Sequence, residues 1–439
     1  MFWIELIIVL LAIFIGARLG GIGLGVMGAL GLAILTFGFH LQPTTAPIDV
    51  MLMIVSVVTA AGAMQAALGL DYLVLLAEKI LRRHPSRITY YGPLVTYLFT
   101  FVAGTGHVAY SILPVIAEVA TETKVRPERP LSISVIASQQ AITASPMSAA
   151  TAAILALLTP MGITLPNILM ICIPSTLIGV TIAAFFANHM GKNLVDDPEY
   201  LQRLKDGLLK PSDHSKSVAD IPSKAKISVL LFILGAFAVV LFGSFPFLRP
   251  EWVVEGVKVK MGMPEVIEIV MLCVAALIIL ICRPKMNSLI SGSVFLAGIQ
   301  AVIAIFGIAW MGDTFFAGNK VFLSGGIQNL VTAMPWLFAI ALFFMSVLLY
   351  SQAATVRALM PLAITLGLPA ASMIAMFPAV NGYFFIPNYP TIVAAINFDR
   401  TGTTRIGRYV LNHSFMIPGL VATIFSVGAG FILSALFLG

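Results

Sequence analysis

Apolar runs about twenty residues long recur from one end of the chain to the other, and they leave few folds open. A helix of that length crosses the hydrocarbon core of a bilayer. In lipid every backbone amide and carbonyl must be satisfied within the protein, so a chain of this kind spans as helices. Of 439 residues, 59% are hydrophobic and 10% charged, against about 25% charged in a soluble domain. The sequence therefore specifies an all-α polytopic membrane protein. The first run, MFWIELIIVLLAIFIGARLGG, has no basic start and no small-residue cleavage site, and reads as a retained span rather than a signal peptide. Cys172, Cys273 and Cys282 stand in apolar segments without metal-ligand spacing, so they read as packing residues, and no metal or cofactor is expected. No basic run with interleaved aromatics points to nucleic acid.

The apolar runs fall near 2–17, 22–39, 49–68, 93–120, 166–187, 227–247, 264–282, 293–314, 335–367 and 409–437, predicting about ten transmembrane helices. Two runs exceed a single crossing and carry polar interruptions, GTGH at Gly104–His107 and YSQAAT at Tyr350–Thr355; both read as broken helices. The proline-punctured segments 131–159 and 369–398 read as re-entrant hairpins. Basic residues set the orientation. With the N-terminus outside, eighteen of the 25 lysines and arginines fall inside, and seven outside: Lys124, Arg126, Arg129, Arg249, Lys258, Lys260 and Lys320. Both termini are then periplasmic.

The two halves of the chain match. Pro114 pairs with Pro361, Pro146 with Pro390, Pro174 with Pro418 and Asp71 with Asp313, at separations of 247, 244, 244 and 242 residues. Five crossings per half is odd, so the second copy is inverted. The expected organisation is a first repeat over 1–187, a polar cytoplasmic linker over 188–226 with a short helix near 198–209, and a second repeat over 227–439.

Helix breaks at the midplane of an inverted-repeat transporter offer free amides and a partial positive charge to anionic groups. The candidate substrate-binding residues are therefore Thr105, Gly106 and His107 at the first break, and Ser351, Gln352 and Thr355 at the second. In the hairpin tips they are Ser145, Pro146 and Ser148, and Asn388, Tyr389, Pro390 and Thr391. Small hydroxyl residues also serve close helix packing, and polar ones also satisfy freed backbone groups, which is the competing account of each. His107 is the titratable group among them. Arg357 can hold a carboxylate or snorkel to the surface, and Asn381 and Gln139 are weaker candidates. GARLGGIGLGVMGALG, with Gly21 and Gly25 four apart, favours close helix contact. DYLVLLAEKILRRHPSR reads as an amphipathic interfacial arm joining a fixed part to a moving part. Asp71 and Asp313 read as span-end residues.

The stretches ELIIVLLAIFIGARLGGIG, LRRHP, AGTGH, LPVIAEVA, RPLS, ITASPMSAA, IPSTL, WMGDTF, LLYSQAAT, ALMP and FDRTGTTRIGR resemble the anaerobic C4-dicarboxylate transporter (Dcu) family, and its DcuA type in particular. The likeness covers all of the chain but the central linker. It implies exchange of four-carbon dicarboxylates across a bacterial inner membrane, with fumarate, malate or aspartate entering and succinate leaving in support of fumarate respiration. It also implies the paired hairpins and elevator movement of the wider ion-transporter superfamily, in a protein expected to form a homodimer. Where sodium-coupled carriers of that superfamily show Ser-Asn-Thr tips, this chain has SPMS and NYPT, which counts against sodium coupling. The nearest rival is a proton-coupled symporter on the same fold. A sensory partner of a dicarboxylate-responsive kinase, displayed through FDRTGTTRIGR, is a third reading. An intramembrane hydrolase built on His107 and Ser111 lacks a nucleophile elbow, a metal pair or an orienting carboxylate. The protein is read as a transporter, not an enzyme.

Overall fold

Helices account for almost all the regular structure, because the lipid leaves the backbone little alternative. The computed structural model describes residues 1–19, 22–207, 209, 222–254, 257–319, 334–349, 351–387, 389–407 and 411–438. In the first half run α1 (Phe2–Leu19), α2 (Gly23–Ala33, extended by a π-helical turn Ile34–Gly38), α3 (Ile48–Ala66), α4 (Gly69–Arg83), α5 (Ile88–Ala103), α6 (Ala109–Glu122), α7 (Glu128–Ala144), α8 (Ala149–Leu158) and α9 (Leu165–Asn188). The short α10 (Pro198–Lys205) follows, within the region expected to hold a linker helix. The second half has α11 (Ser223–Ser244), α12 (Met263–Cys282), α13 (Met286–Ile290), α14 (Ser293–Gly318), α15 (Trp336–Leu349), α16 (Gln352–Thr365), α17 (Ala370–Met376), α18 (Pro390–Phe398) and α19 (Met416–Phe437). A small antiparallel ribbon, β1 (Glu251–Val254) with β2 (Val257–Lys260), joins α11 to α12.

Among the described residues, six helices are long and apolar enough to cross a bilayer, or seven if the bent pair α3–α4 counts as one span. The stretches Phe2–Gly16, Gly25–Gly38 and Trp336–Leu349 are apolar but shorter. The α3–α4 bend is 71°, and it turns at Leu68, whose φ of +65° is left-handed. Beyond it, α4 buries Gly69, Leu73, Ala77 and Leu81, one residue per turn, and leaves its basic end exposed, as an interfacial arm does.

The structure reverses two roles expected from hydropathy. Arg82, at the end of α4, donates from Nη2 to Glu118 at 3.0 Å and from Nη1 to Glu122 at 3.1 Å. The last turn of α6 thus returns to the face from which α5 departs. At 16 and 14 residues, α5 and α6 are the arms of a hairpin with its tip at Gly104–Val108, not a broken crossing over 93–120. The segment 131–159 is not a hairpin either. Helices α7 and α8 form one apolar stretch, Glu128–Met161, interrupted between Ala144 and Ala149.

The second half behaves alike. Ser346 on α15 accepts a bond from the Gly382 amide at 2.8 Å, and Gln352 reaches Asn381 at 3.2 Å. The end of α15, the start of α16 and the 3-10 segment Phe377–Phe384 therefore meet in the interior. Helices α15 and α16, of 14 residues each, are about 21 Å long, short of the ~30 Å core; they form the second hairpin, and α17 to α18 the second broken crossing. Hydropathy registers an interruption in an apolar run, but it does not register whether the chain continues or turns back.

A buried polar cluster fixes one membrane face. Arg126 donates from Nε to Glu128 at 2.5 Å, and from Nη1 to Asp197. Ser414 donates to Glu128 at 2.6 Å, Arg129 reaches the Met190 carbonyl at 2.8 Å, and Arg203 reaches the Arg400 carbonyl at 3.1 Å. The loop carrying Arg126 therefore shares a face with residues 188–203, 399–407 and 411–414, so Lys124, Arg126 and Arg129 lie on the same side as the linker and not opposite it as expected. They join the basic majority, which sharpens the charge asymmetry. Arg357 lies inside the second hairpin, not in a loop.

Close helix contact occurs where glycines face glycines. A Cβ on Gly25 would sit 2.0 Å from the Ile303 carbonyl oxygen, and one on Gly307 would sit 1.7 Å from that of Gly25. The glycine-rich stretch of α2 thus packs backbone to backbone on α14. Gly21 lies outside the described residues.

Asp197 caps α10 through the amides of Glu199 and Tyr200. Burial alone would raise its carboxyl, but the Arg126 guanidinium and those amides outweigh burial and hold it below the ordinary aspartate value of 3.8. A depressed folded value means that its stabilisation is complete above 3.8 and lost as pH falls through the folded value. Asp197→Ala is expected to lower stability by about 1.5–3 kcal/mol for the charged bond, with about 1 kcal/mol more for the cap. Thermal melting in detergent checks this: the difference from wild type should persist at neutral and mildly acid pH and shrink only below the ordinary aspartate range.

Candidate functional site

The two hairpin tips and the two interrupted crossings meet around one interior cavity of about 450 Å³. Its lining includes Thr105 and Gly106 from the first tip, Ser351 and Gln352 from the second, Pro146 and Ser148 from the first interrupted crossing, and Tyr389, Pro390 and Thr391 from the second. Gln139 on α7 and Tyr110 on α6 join them, and Val57, Val58 and Ala61 of α3 form an apolar wall. Pro146 and Pro390, 244 residues apart, are thereby brought to one place together with Ser148, Tyr389 and Thr391.

The described lining contains no Lys, Arg, His, Asp or Glu. Its polarity comes from helix starts. In α8 the Ser148 hydroxyl caps the Thr151 amide at 3.0 Å, and the Ala152 amide reaches the Ser148 carbonyl at 3.0 Å. In α16 the Ser351 hydroxyl caps the Ala354 amide at 3.2 Å, and the Thr355 amide reaches the Ser351 carbonyl at 3.0 Å. A helix leaves its first four amides without intrahelical partners. The serine hydroxyl caps the third amide of each helix and the fourth makes the first intrahelical bond, leaving the first two in each case: Ala149 and Ala150, Gln352 and Ala353. All four residues line the cavity. Pro390 opens α18 without an amide to leave over, and the buried Thr391 hydroxyl beside it has no hydrogen-bond partner among the described residues. Each helix start also carries a partial positive charge of about half a unit. The arrangement suits an anion with two separated negative ends.

The remaining sequence candidates lie elsewhere. Ser145 is fully buried; its hydroxyl donates to the Phe101 carbonyl at 2.6 Å and accepts from the Met147 amide at 3.2 Å, pinning the end of α7 to the end of α5. It is a fastening, not a lining residue. Thr355 donates back to the Ser351 carbonyl at 2.8 Å, within its own helix. Arg357 pairs with Asp313 of α14 at 3.4 Å, and it faces neither the cavity nor the surface. Asn381 is buried behind Gln352. Asn388 lies outside the described residues, as does the side chain of His107. Sequence reasoning missed Ala149, Ala150 and Ala353, because a residue that acts through its amide has no side-chain signature. It also missed Gln140 and Thr423, which bond each other at 3.4 Å behind the cavity.

Two helical hairpins whose tips border one cavity inside a multi-pass bundle define a secondary transporter. The overall fold is similar to that of the YdaH transporter of Alcanivorax borkumensis, with a TM-score of 0.55, 14% identity and coverage of 100% of this chain and 97% of that one. At that identity the likeness speaks to the fold alone. Sequence places it further. This chain belongs to the anaerobic C4-dicarboxylate membrane transporter family, whose profile matches residues 1–438. It is 45% identical to the C4-dicarboxylate transporter DcuA of Wolinella succinogenes over 434 residues, 99% of each chain. Against DcuA of Escherichia coli K12 the identity is 45% over 437 residues, again 99% of each. Against the anaerobic C4-dicarboxylate transporter DcuB of Escherichia coli O6:H1 it is 40% over 451 residues, covering 100% of this chain and 99% of that one.

Gly104 closes the first tip. Its φ is +69°, and a Cβ there would lie 2.5 Å from the Met147 carbonyl oxygen. Gly104→Ala is therefore expected to force the α5–α6 tip away from the start of α8. Transport assayed in reconstituted vesicles should fall more than tenfold, in protein that still inserts and purifies as a single species.

Proposed function

We propose that this chain exchanges C4-dicarboxylates across a bacterial inner membrane, taking up fumarate, malate or aspartate against succinate, and that the cavity at the helix starts is the binding site. The observation that carries this reading is the pairing of a described lining without charged residues with capped helix starts whose first two residues line the same cavity. A dicarboxylate brings two charges, and each can take charge-assisted bonds from Ala149 and Ala150 on one side and Gln352 and Ala353 on the other. Thr105, Gly106, Ser148, Ser351, Tyr389 and Thr391 would close around it, with Asn388 and His107 retained as candidates. Pro146 and Pro390 would fix where the helices begin.

The reading extends to architecture. Two inverted repeats, 1–187 and 227–439, give five crossings each when the interrupted stretches α7–α8 and α17–α18 count as crossings. The hairpins α5–α6 and α15–α16 then approach from opposite faces. What supports it is the common order of elements in the two halves and the near-constant separation of matched prolines. The hairpins, interrupted helices, α9 and α19 would move as an elevator against a scaffold of the remaining helices, anchored in a homodimer. The basic face, with the 188–226 linker, would be cytoplasmic and both termini periplasmic.

Counterflow tests the mode. Vesicles loaded with succinate should take up labelled fumarate at least tenfold faster than empty vesicles, with little dependence on sodium; equal uptake into empty vesicles driven by a proton gradient would establish a symporter instead. Cysteines placed within 188–226 should react with membrane-impermeant thiol reagents only once the inner face is opened. Labelling from the outside of intact cells would overturn the orientation.

A further inference from the structure

We propose that the carboxamide –NH2 of Gln139 is a carboxylate donor in the cavity, and that its orientation is dictated by a chain of amides of fixed polarity anchored on the Pro378 carbonyl. The proposal rests on the cavity being the dicarboxylate site. A side-chain amide can face either way, and only its bonding partners decide which way it sits. One end of this chain cannot be reversed, because the Pro378 carbonyl is a backbone acceptor and never donates. Asn381 Nδ2 donates to it at 3.1 Å and to Gln140 Oε1 at 3.2 Å. Asn381 Oδ1 must then face Gln352, whose Nε2 donates to it at 3.2 Å. The second proton of that same Nε2 goes to Gln139 Oε1 at 2.8 Å. A reversed Gln139 would set –NH2 against –NH2.

The group left over is the –NH2 of Gln139. It stands against Gly106 in the cavity wall, 2.6 Å from where a Cβ on Gly106 would lie. Gln140 does the opposite: its Oε1 accepts from Asn381 and its Nε2 donates to Thr423 of α19. Two successive glutamines on α7 thus split the roles, one supplying a donor to the cavity and the other tying the chain to α19. Asn381 and Gln352 act through Gln139 and are positioning residues in this respect. Gln139 itself is nearly fully buried, so the donor it leaves over is satisfied only by what the cavity holds, and it gains from an anionic acceptor there.

The test measures fumarate exchange by reconstituted Gln139→Leu, Gln139→Glu and Asn381→Leu proteins, alongside fumarate protection of a Val58→Cys probe in the cavity wall, made on a Cys273→Ser background. Gln139→Leu should raise the half-saturation concentration about ten- to a hundredfold, as expected for one charge-assisted bond, with the maximal rate changed far less. Gln139→Glu keeps the shape and removes the donor, so it should bind more weakly still. Asn381→Leu unpins the polarity of the chain and should raise half-saturation by less than Gln139→Leu, again with the maximal rate largely kept. Wild-type half-saturation in both Gln139 variants, with fumarate still protecting Val58→Cys, would overturn the donor while leaving the cavity reading intact. No protection of Val58→Cys by fumarate would remove the cavity as the site, and this proposal with it.

Discussion

A helix that begins inside a membrane exposes amides that lipid cannot satisfy, and the organisation of this protein follows from where those amides are placed. Both α8 and α16 begin at a serine whose hydroxyl caps the third amide, and both leave the first two to the same cavity. An unsatisfied amide in an apolar interior costs about 1–3 kcal/mol by protein mutational data. The arrangement therefore demands either water or an anionic ligand at that point, and it favours the latter through the dipoles of both helices.

Everything around the cavity keeps those starts in register. Ser145 fastens the end of α7 to α5, Gly104 lets the first tip approach Met147 closely, and the amide chain through Gln352 and Asn381 crosses between the two halves. The Arg126, Glu128 and Asp197 cluster lies at one face of the same body, binding loops from three parts of the sequence. Elsewhere, α2 and α14 pack with glycine backbones in contact. Asp313 and Arg357 form the charged link between α14 and the second hairpin, so a movement of that hairpin against α14 has to break or carry this pair.

Much of this was legible in the sequence, for stated reasons. Apolar length announces membrane helices, and prolines and small hydroxyl residues within it announce interruptions, so the places of Pro146, Ser148, Ser351 and Pro390 at or just before helix starts were legible from residue type alone. The direction of the chain after an interruption was not legible. It depends on Gly104 adopting a left-handed backbone and on Arg82 drawing back the end of α6, and neither leaves a trace in hydropathy. Ser145 was misread for a related reason, since a hydroxyl in an interruption can serve a ligand or a neighbouring carbonyl, and only the fold decides which. The amides of Ala149, Ala150 and Ala353 were invisible because their chemistry belongs to the backbone.

The central claim is that uncharged helix starts, not a basic side chain, hold the substrate. The most direct measurement is a cryo-EM map of the protein in lipid with fumarate bound. The account predicts density between α8 and α16, with one carboxylate within hydrogen-bonding distance of the Ala149 and Ala150 amides and the other close to those of Gln352 and Ala353. Fumarate bound instead against Arg357, with its partner Asp313 displaced and the cavity filled by water, would contradict it.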